Sequence, residues 1–244
     1  MWFVWDPVGL ACASATWLLM LSGCAALLSE LLGPARGGAE GAAHGALSLA
    51  LVGLALAAHG RTVLTDPGAL PLGAGSGLGA EPGDPRCSAC GLVPPPGAHH
   101  CSVCGRCIRR VDHHCPWVNN CVGEDNRKFF LLFTLYTALA ALHALLLLGA
   151  PALRGHAPGT PAPRGALLLL LLAALYGFLF ASAMLTLQLC TVCTDRTGRG
   201  RGERGWRAAW MNLADALGRP PSLAWLSPCA SPRPPRPGAR YAEV

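Results

Sequence analysis

Charged side chains are scarce in this sequence: 13% of its 244 residues, against about 25% in an ordinary soluble domain. That shortage excludes a single large soluble core wrapped in a charged surface. Two long stretches, 129–150 and 166–192, hold no Asp, Glu, Lys or Arg at all. The opening residues, Met1-Trp2-Phe3-Val4-Trp5-Asp6, carry no basic side chain, so the apolar block behind them lacks the flank of a cleaved secretory signal. We expect that block to be retained.

What the chain has instead is apolar residues, 52% of the total, gathered in blocks rather than stripes. Four blocks, 8–28, 42–64, 129–150 and 166–192, reach the length of about 20 residues that a membrane helix needs. The second is the least uniform, interrupted by His44, His59 and Arg61. Buried helices of a soluble protein are the competing reading, which four such blocks in so short a chain disfavour. The expected layout is helices 1 and 2 within 1–64, a polar segment over 65–128, helices 3 and 4 within 129–192, and a polar C-terminal region over 193–244.

Basic residues set the orientation. With four spans, sixteen of the nineteen Lys and Arg fall in the central segment, at its edge or in the C-terminal region, and only Arg36, Arg154 and Arg164 fall on the other side. The positive-inside rule then puts both termini and the central segment in the cytosol. The net charge of +6 is read as topology, not as a nucleic-acid surface.

The central segment opens on Asp66-Pro67-Gly68, a turn that stops the second helix because a residue before proline leaves the helical region. A glycine-rich linker follows (Gly73, Gly75, Gly77, Gly79), then seven cysteines and four histidines between Cys87 and Cys121. Disulfides do not suit a reducing cytosol. Free thiols explain neither Cys87-x2-Cys90 nor His100-Cys101-x2-Cys104-x2-Cys107, whereas zinc explains both, since two thiolates at x2 spacing share one tetrahedral ion. Two such ions use about eight ligands, so three of the eleven side chains are spare, and spacing alone does not say which. The segment over 85–128 is too short and too rich in Pro and Gly for a large apolar core, so metal binding would supply most of its folding energy.

One motif within it is chemically distinctive: Asp112-His113-His114-Cys115-Pro116-Trp117, followed by Val118-Asn119-Asn120-Cys121. A thiol beside an imidazole can be held as thiolate, and a carboxylate next to the imidazole can orient it, which together make an activated nucleophile. The same residues could equally be further zinc ligands.

These residues, in a cysteine-rich segment between the second and third of four spans, resemble the DHHC family of palmitoyltransferases. The resemblance runs through Val122-Gly123 and back to Asp66-Pro67-Gly68. Met1-Trp2-Phe3, Leu64-Thr65, Ala69, Cys193-Thr194-Asp195 with Thr197-Gly198, and Trp210-Met211-Asn212 are similar to its Golgi-resident subgroup. It implies a mainly α fold, a four-transmembrane-helix bundle with a small cytosolic zinc-stabilised domain between helices 2 and 3. It implies one zinc on Cys87, Cys90, His100 and Cys107 and a second on Cys101, Cys104, His114 and Cys121. Cys115 would be the nucleophile, His113 its general base and Asp112 the group orienting His113, leaving His99 without a role. The implied reaction moves a fatty acyl group from palmitoyl-CoA to Cys115 and then to cysteines of membrane-associated proteins, with the acyl chain in a cavity between the spans. Arg109, Arg110, Arg127 and Lys128 are candidates for the CoA phosphates, and a Golgi membrane is the implied location.

The sequence departs from the family after the fourth span, where many relatives carry Thr-Thr-x-Glu and this chain has Thr197-Gly198-Arg199-Gly200. An inactive zinc-stabilised adaptor is therefore an alternative function, and a small four-span transporter another; the latter lacks charged pathway residues. Trp206, Trp210, Leu213, Ala214 and Leu217 share one face of a helix expected at 206–217, suited either to the membrane surface or to packing on the cysteine-rich domain. The rest of the tail, from Ser227 to Arg240, is Pro/Arg-rich and expected to be disordered, and its terminal Ala242-Glu243-Val244 is one that a PDZ domain could capture. Cys190-x2-Cys193 has no second ligand pair, and His143 within the third span is expected to hydrogen-bond to a neighbouring helix.

Overall fold

The computed structural model describes residues 2–33, 38–71, 85–153, 164–195, 205–218 and 220–232. The glycine-rich linker, the Thr197–Gly200 stretch and the C-terminal Ala-Glu-Val lie outside the described residues. Four long helices dominate: α1 (Pro7–Leu31), α2 (Ala39–Leu64), α3 (Arg127–Leu153) and α4 (Arg164–Thr194). All four are long and apolar enough to cross a membrane. Between α2 and α3 lie two short hairpins, β1 (His99–Cys101) with β2 (Arg106–Ile108) and β3 (His113–Cys115) with β4 (Asn120–Val122). A fifth helix, α5 (Trp206–Leu217), follows α4. The chain is thus mainly helical, with four candidate membrane helices and a small cysteine-rich region between the second and third, as expected.

The contacts divide into two compact units. One comprises Ser14–Ala57 and Leu131–Gln188, which take in the C-terminal parts of α1 and α3 and the N-terminal parts of α2 and α4. Its packing is that of a lipid-embedded bundle: large side chains such as Leu18, Leu19 and Leu169 face outward, and small residues allow close helix approach. Gly45 on α2 is one such contact, since a Cβ there would lie 3.2 Å from Leu28 on α1. Leu27 and Leu31 of α1 pack on Ala144 and Leu148 of α3, with Leu170, Leu171 and Ala174 of α4 against them. His143 does bond to a neighbour: its Nε2 is 3.1 Å from His44 Nδ1 on α2 and its Nδ1 3.2 Å from Ser48 Oγ, so three polar side chains satisfy one another in the span.

The other unit comprises Met1–Ala13, Ala58–Phe130 and Leu189–Val244. Here the N-terminus of α1 is capped by Asp6, whose carboxylate accepts from the amides of Val8 and Gly9, with Pro7 at the first helical position. Asp66 closes the turn after α2 by accepting from the amides of Gly68 (2.8 Å) and Ala69 (2.7 Å), and Gly68 has a φ of 107° that a side chain would resist.

The last carbonyls of α2 have no partner in their own helix. Asn120 supplies one from β4: its side-chain amide donates to Thr62 (3.0 Å), Val63 (3.2 Å) and Thr65 (3.0 Å), and its oxygen accepts from Trp2 Nε1 (2.9 Å). Asn126 adds a bond to Thr62 O, donates to Cys121 O and accepts from the amide of Gly123. Both asparagines are fully buried. Replacing Asn120 by Ala should cost about 1–3 kcal/mol of stability, the penalty for orphaned buried carbonyls. We expect a lower thermal midpoint for Asn120→Ala in detergent, and an unchanged midpoint would remove this role.

A candidate active site on a two-cluster metal module

The cysteine-rich region builds its site by repetition. Cys87-Ser-Ala-Cys90-Gly91 and Cys101-Ser-Val-Cys104-Gly105 fold alike: the amide of the second cysteine points at the first sulfur (3.4 Å in each), and the glycine follows at positive φ (68° and 64°). His-His-Cys then opens each hairpin, as β1 and again as β3, and a further cysteine follows six residues on in each, Cys107 and Cys121.

Strand alternation decides where each side chain goes. In the first hairpin His100 pairs with Cys107 across the ladder, and in the second His114 pairs with Cys121. Cys87, Cys90, His100 and Cys107 form one group of possible metal ligands; Cys101, Cys104, His114 and Cys121 form another. His100 and its neighbour Cys101 thus serve different groups, and the first hairpin contributes to both. The spacings fit a metal: Cys104 and Cys121 sulfurs are 3.6 Å apart and Cys90 and Cys107 sulfurs 3.7 Å. Two thiolates at about 2.3 Å from a tetrahedral ion sit roughly 3.8 Å apart. His114 Nδ1 lies 3.4–3.6 Å from all three sulfurs of its group.

Cys115 belongs to neither group. It stands where Cys101 stands in the first hairpin, yet it is buried (6% exposed) and joins neither cluster. His113 is two residues earlier on the same strand and therefore on the same face. The His113 Nδ1 is 2.5 Å from Asp112 Oδ2, which leaves Nε2, buried and without another hydrogen-bond partner, for the thiol. Phe130 meets the ring edge-on at 5.6 Å. Burial alone would depress the imidazole pKa, but the bond to Asp112 and the interaction with Cys115 outweigh it and hold it at about 9. His99, the remaining histidine, is exposed.

The turn beyond Cys115 is pinned to the ends of the helices. A 3-10 turn covers Pro116–Val118 and closes on Asn119, a non-glycine residue at φ 46°, whose side chain donates to Val4 O at 2.7 Å. His59 of α2 contacts Trp117 O. Neither His59 nor the two asparagines stood out in the sequence as site residues; His59 showed only as a polar interruption in an apolar block, which in membrane segments is a functional signal.

The four cations near the motif all have partners inside the protein. Arg109 pairs with Glu124 and Asp125. Arg110, at φ 44°, holds Asp195 at 2.6 Å and Asp215 at 3.3 Å, while its carbonyl accepts from Arg127. Lys128 is the chain's only lysine, 1% exposed, and donates to the carbonyls of Ala224 and Ala230. Asp195 was not singled out in the sequence as a partner of these cations, because an ion pair 85 residues apart leaves no local pattern.

Two clusters of possible metal ligands interlocked through two hairpins, one thiol kept out of both, and four candidate membrane helices define a class: polytopic membrane proteins with a cysteine-rich module that could hold metal. Comparison with known proteins narrows it. The DHHC palmitoyltransferase family matches residues 81–204. Palmitoyltransferase ZDHHC3 of Rattus norvegicus is 43% identical over 252 residues, covering 95% of this chain and 84% of the rat protein. ZDHHC3 of Homo sapiens is 42% identical over the same shares, and ZDHHC7 of Rattus norvegicus is 40% identical over 93% of this chain and 80% of its own length. The chain belongs to the DHHC palmitoyltransferase family and is a protein palmitoyltransferase.

The interlocked clusters predict separable metal losses. Cys107→Ser should release one metal equivalent per chain and Cys121→Ser the other, whereas Cys115→Ser should keep both, as read by elemental analysis of the purified protein. Loss of metal from Cys115→Ser would place that thiol among the ligands.

Proposed function

We propose that this palmitoyltransferase works through Cys115 as acyl carrier, with His113 as general base and Asp112 orienting His113. The observation that carries this reading is the exclusion of Cys115 from both metal-ligand groups while it shares a strand face with His113. The Cys115 sulfur attacks the thioester carbonyl of acyl-CoA, and the bond to the CoA sulfur breaks, leaving an acyl-thioester on Cys115. His113, whose pKa of about 9 favours the imidazolium, takes the thiol proton ahead of this attack and delivers it to the departing CoA thiolate. A substrate cysteine, deprotonated by His113, then attacks the Cys115 thioester, and the proton passes back to Cys115. Two thioester exchanges are nearly balanced in free energy, so positioning supplies most of the acceleration.

The two Cys/His groups are proposed to hold structural zinc, for which their all-thiolate-and-imidazole donor sets and spacings suit the ion. Bound zinc would supply fold and no chemistry, since all four positions on each ion are taken by the protein. For the CoA phosphates, the partners found for Arg109, Arg110, Arg127 and Lys128 favour a bracing role over a direct one; any phosphate contact is assigned first to Arg109, whose side chain is 15% exposed and whose carboxylate partner Asp125 is 30% exposed. The excess of basic residues supports a cytosolic cysteine-rich region. Proteins with cytosolic cysteines at a membrane are the acceptors this predicts, and similarity to the Golgi-resident subgroup supports that location.

The purified protein with a clickable palmitoyl-CoA should acquire hydroxylamine-sensitive label, and Cys115→Ser should acquire none while retaining its metal. A metal-loaded wild type that takes no label would sink the assignment of Cys115 and favour an inactive adaptor.

A further inference from the structure

His59 sits near the C-terminal end of α2, 1% exposed. Its Nε2 is 2.8 Å from the carbonyl oxygen of Trp117. A carbonyl can only accept, so the imidazole donates. Trp117 is the middle residue of the 3-10 turn that starts directly after Cys115. Within that turn the Pro116 carbonyl is taken by the amide of Asn119 at 3.0 Å, which leaves the Trp117 carbonyl for an outside donor. Cys115 enters the turn in an extended conformation (φ −112°, ψ 110°) with no side-chain bond across it.

The rest of the turn is fastened elsewhere. Cys115 pairs across the hairpin with Asn120, and Asn120 is bonded to the last carbonyls of α2. Asn119 is bonded to Val4. The middle of the turn meets α2 through His59. A buried imidazole at the end of an apolar helix is costly unless hydrogen-bonded, and an aliphatic side chain would fill the same space more favourably if space were all that mattered.

We propose that His59 is a positioning residue for the acyl transfer: its hydrogen bond to Trp117 fixes the turn that carries Cys115 and thereby the approach of the Cys115 sulfur to His113. The inference rests on Cys115 as the acyl carrier. His59 touches neither thiol nor acyl donor, so its loss slows the chemical step without changing how acyl-CoA is bound. Displacement of a reacting group by an ångström or so lowers a rate by about a hundredfold.

The test is the rate of Cys115 acylation in full-length protein across a range of palmitoyl-CoA concentrations, for wild type, His59→Gln, His59→Asn and His59→Phe, with metal content measured alongside. Glutamine keeps a donor at similar reach, asparagine is polar but too short, and phenylalanine keeps the volume without the donor. We expect Gln to stay within about threefold of wild type and Asn and Phe to lose about ten- to a hundredfold in maximal rate, with half-saturation unchanged and both metals retained. Wild-type rates in Asn and Phe would overturn the proposal. Equal losses in Gln and Asn would also do so, as would a loss that appears only as a raised half-saturation. Should Phe fail to load metal, the Gln and Asn pair decides. Wild-type protein without label would instead overturn the acyl-carrier role of Cys115, a result that cannot be confused with the others.

Discussion

The last turn of α2 leaves carbonyl groups without partners at the point where an apolar helix leaves the membrane. Neither lipid nor the helix itself can satisfy them. The donors come from Asn120 and Asn126, both within a dozen residues of Cys115 and both fully buried. Capping the helix and placing the candidate active site are therefore one set of bonds. The hairpin β3–β4 cannot shift along the helix end without breaking them, and Trp2 and Val4 at the start of the chain hold Asn120 and its neighbour Asn119 from the other side. Gly123 tightens the arrangement further, because a Cβ there would collide with the carbonyl oxygen of Pro67.

Everything above that anchor lacks the means to fold by apolar burial alone. Strands of three residues and a core as small as Ala69, Ile108 and Cys121 bury little. Metal binding of the kind found in small finger modules is worth on the order of 10 kcal/mol, which exceeds what such a core can provide. Because the first hairpin sends His100 to one cluster and Cys101 to the other, it contributes a ligand to each. The position of Cys115 is then set by geometry that its own side chain takes no part in, so the thiol is free for other chemistry.

The four helices and the cysteine-rich region between the second and third were legible in the sequence, because apolar block length and x2 cysteine spacing are local signals. The division of eleven Cys and His side chains into two groups of four was not legible from spacing. Resemblance suggested it, and the structure brings together the same residues; the deciding factor is alternation along β1 and β3, strands too short to show a period. Long-range pairs were invisible for a similar reason: Asp195 meets Arg110 across 85 positions, and His59 meets Trp117 across 58. Arg109, Arg110, Arg127 and Lys128 read in sequence as charges awaiting an anion because their carboxylate and carbonyl partners lie in other segments.

Those cations also show how one charge can answer two demands. The positive-inside bias needs basic residues beside the spans, whereas a small buried module cannot hold unpaired ones. Arg110 and Arg127 meet both conditions by sharing Asp195 at the end of α4, and Lys128 does so through two backbone carbonyls of the C-terminal segment. Arg61 does the same at the end of α2, lying 4.3 Å over the ring of Phe129 and donating to the carbonyls of Pro228 and Cys229. The C-terminal segment is thus part of the folded unit that carries Cys115. The energy holding Arg110 at its positive φ comes from residues far along the chain, and Arg110 lies only two positions before Asp112. In a reaction whose two thioesters are nearly equal in energy, such distant bracing of a short loop is where a protein of this size can influence the rate.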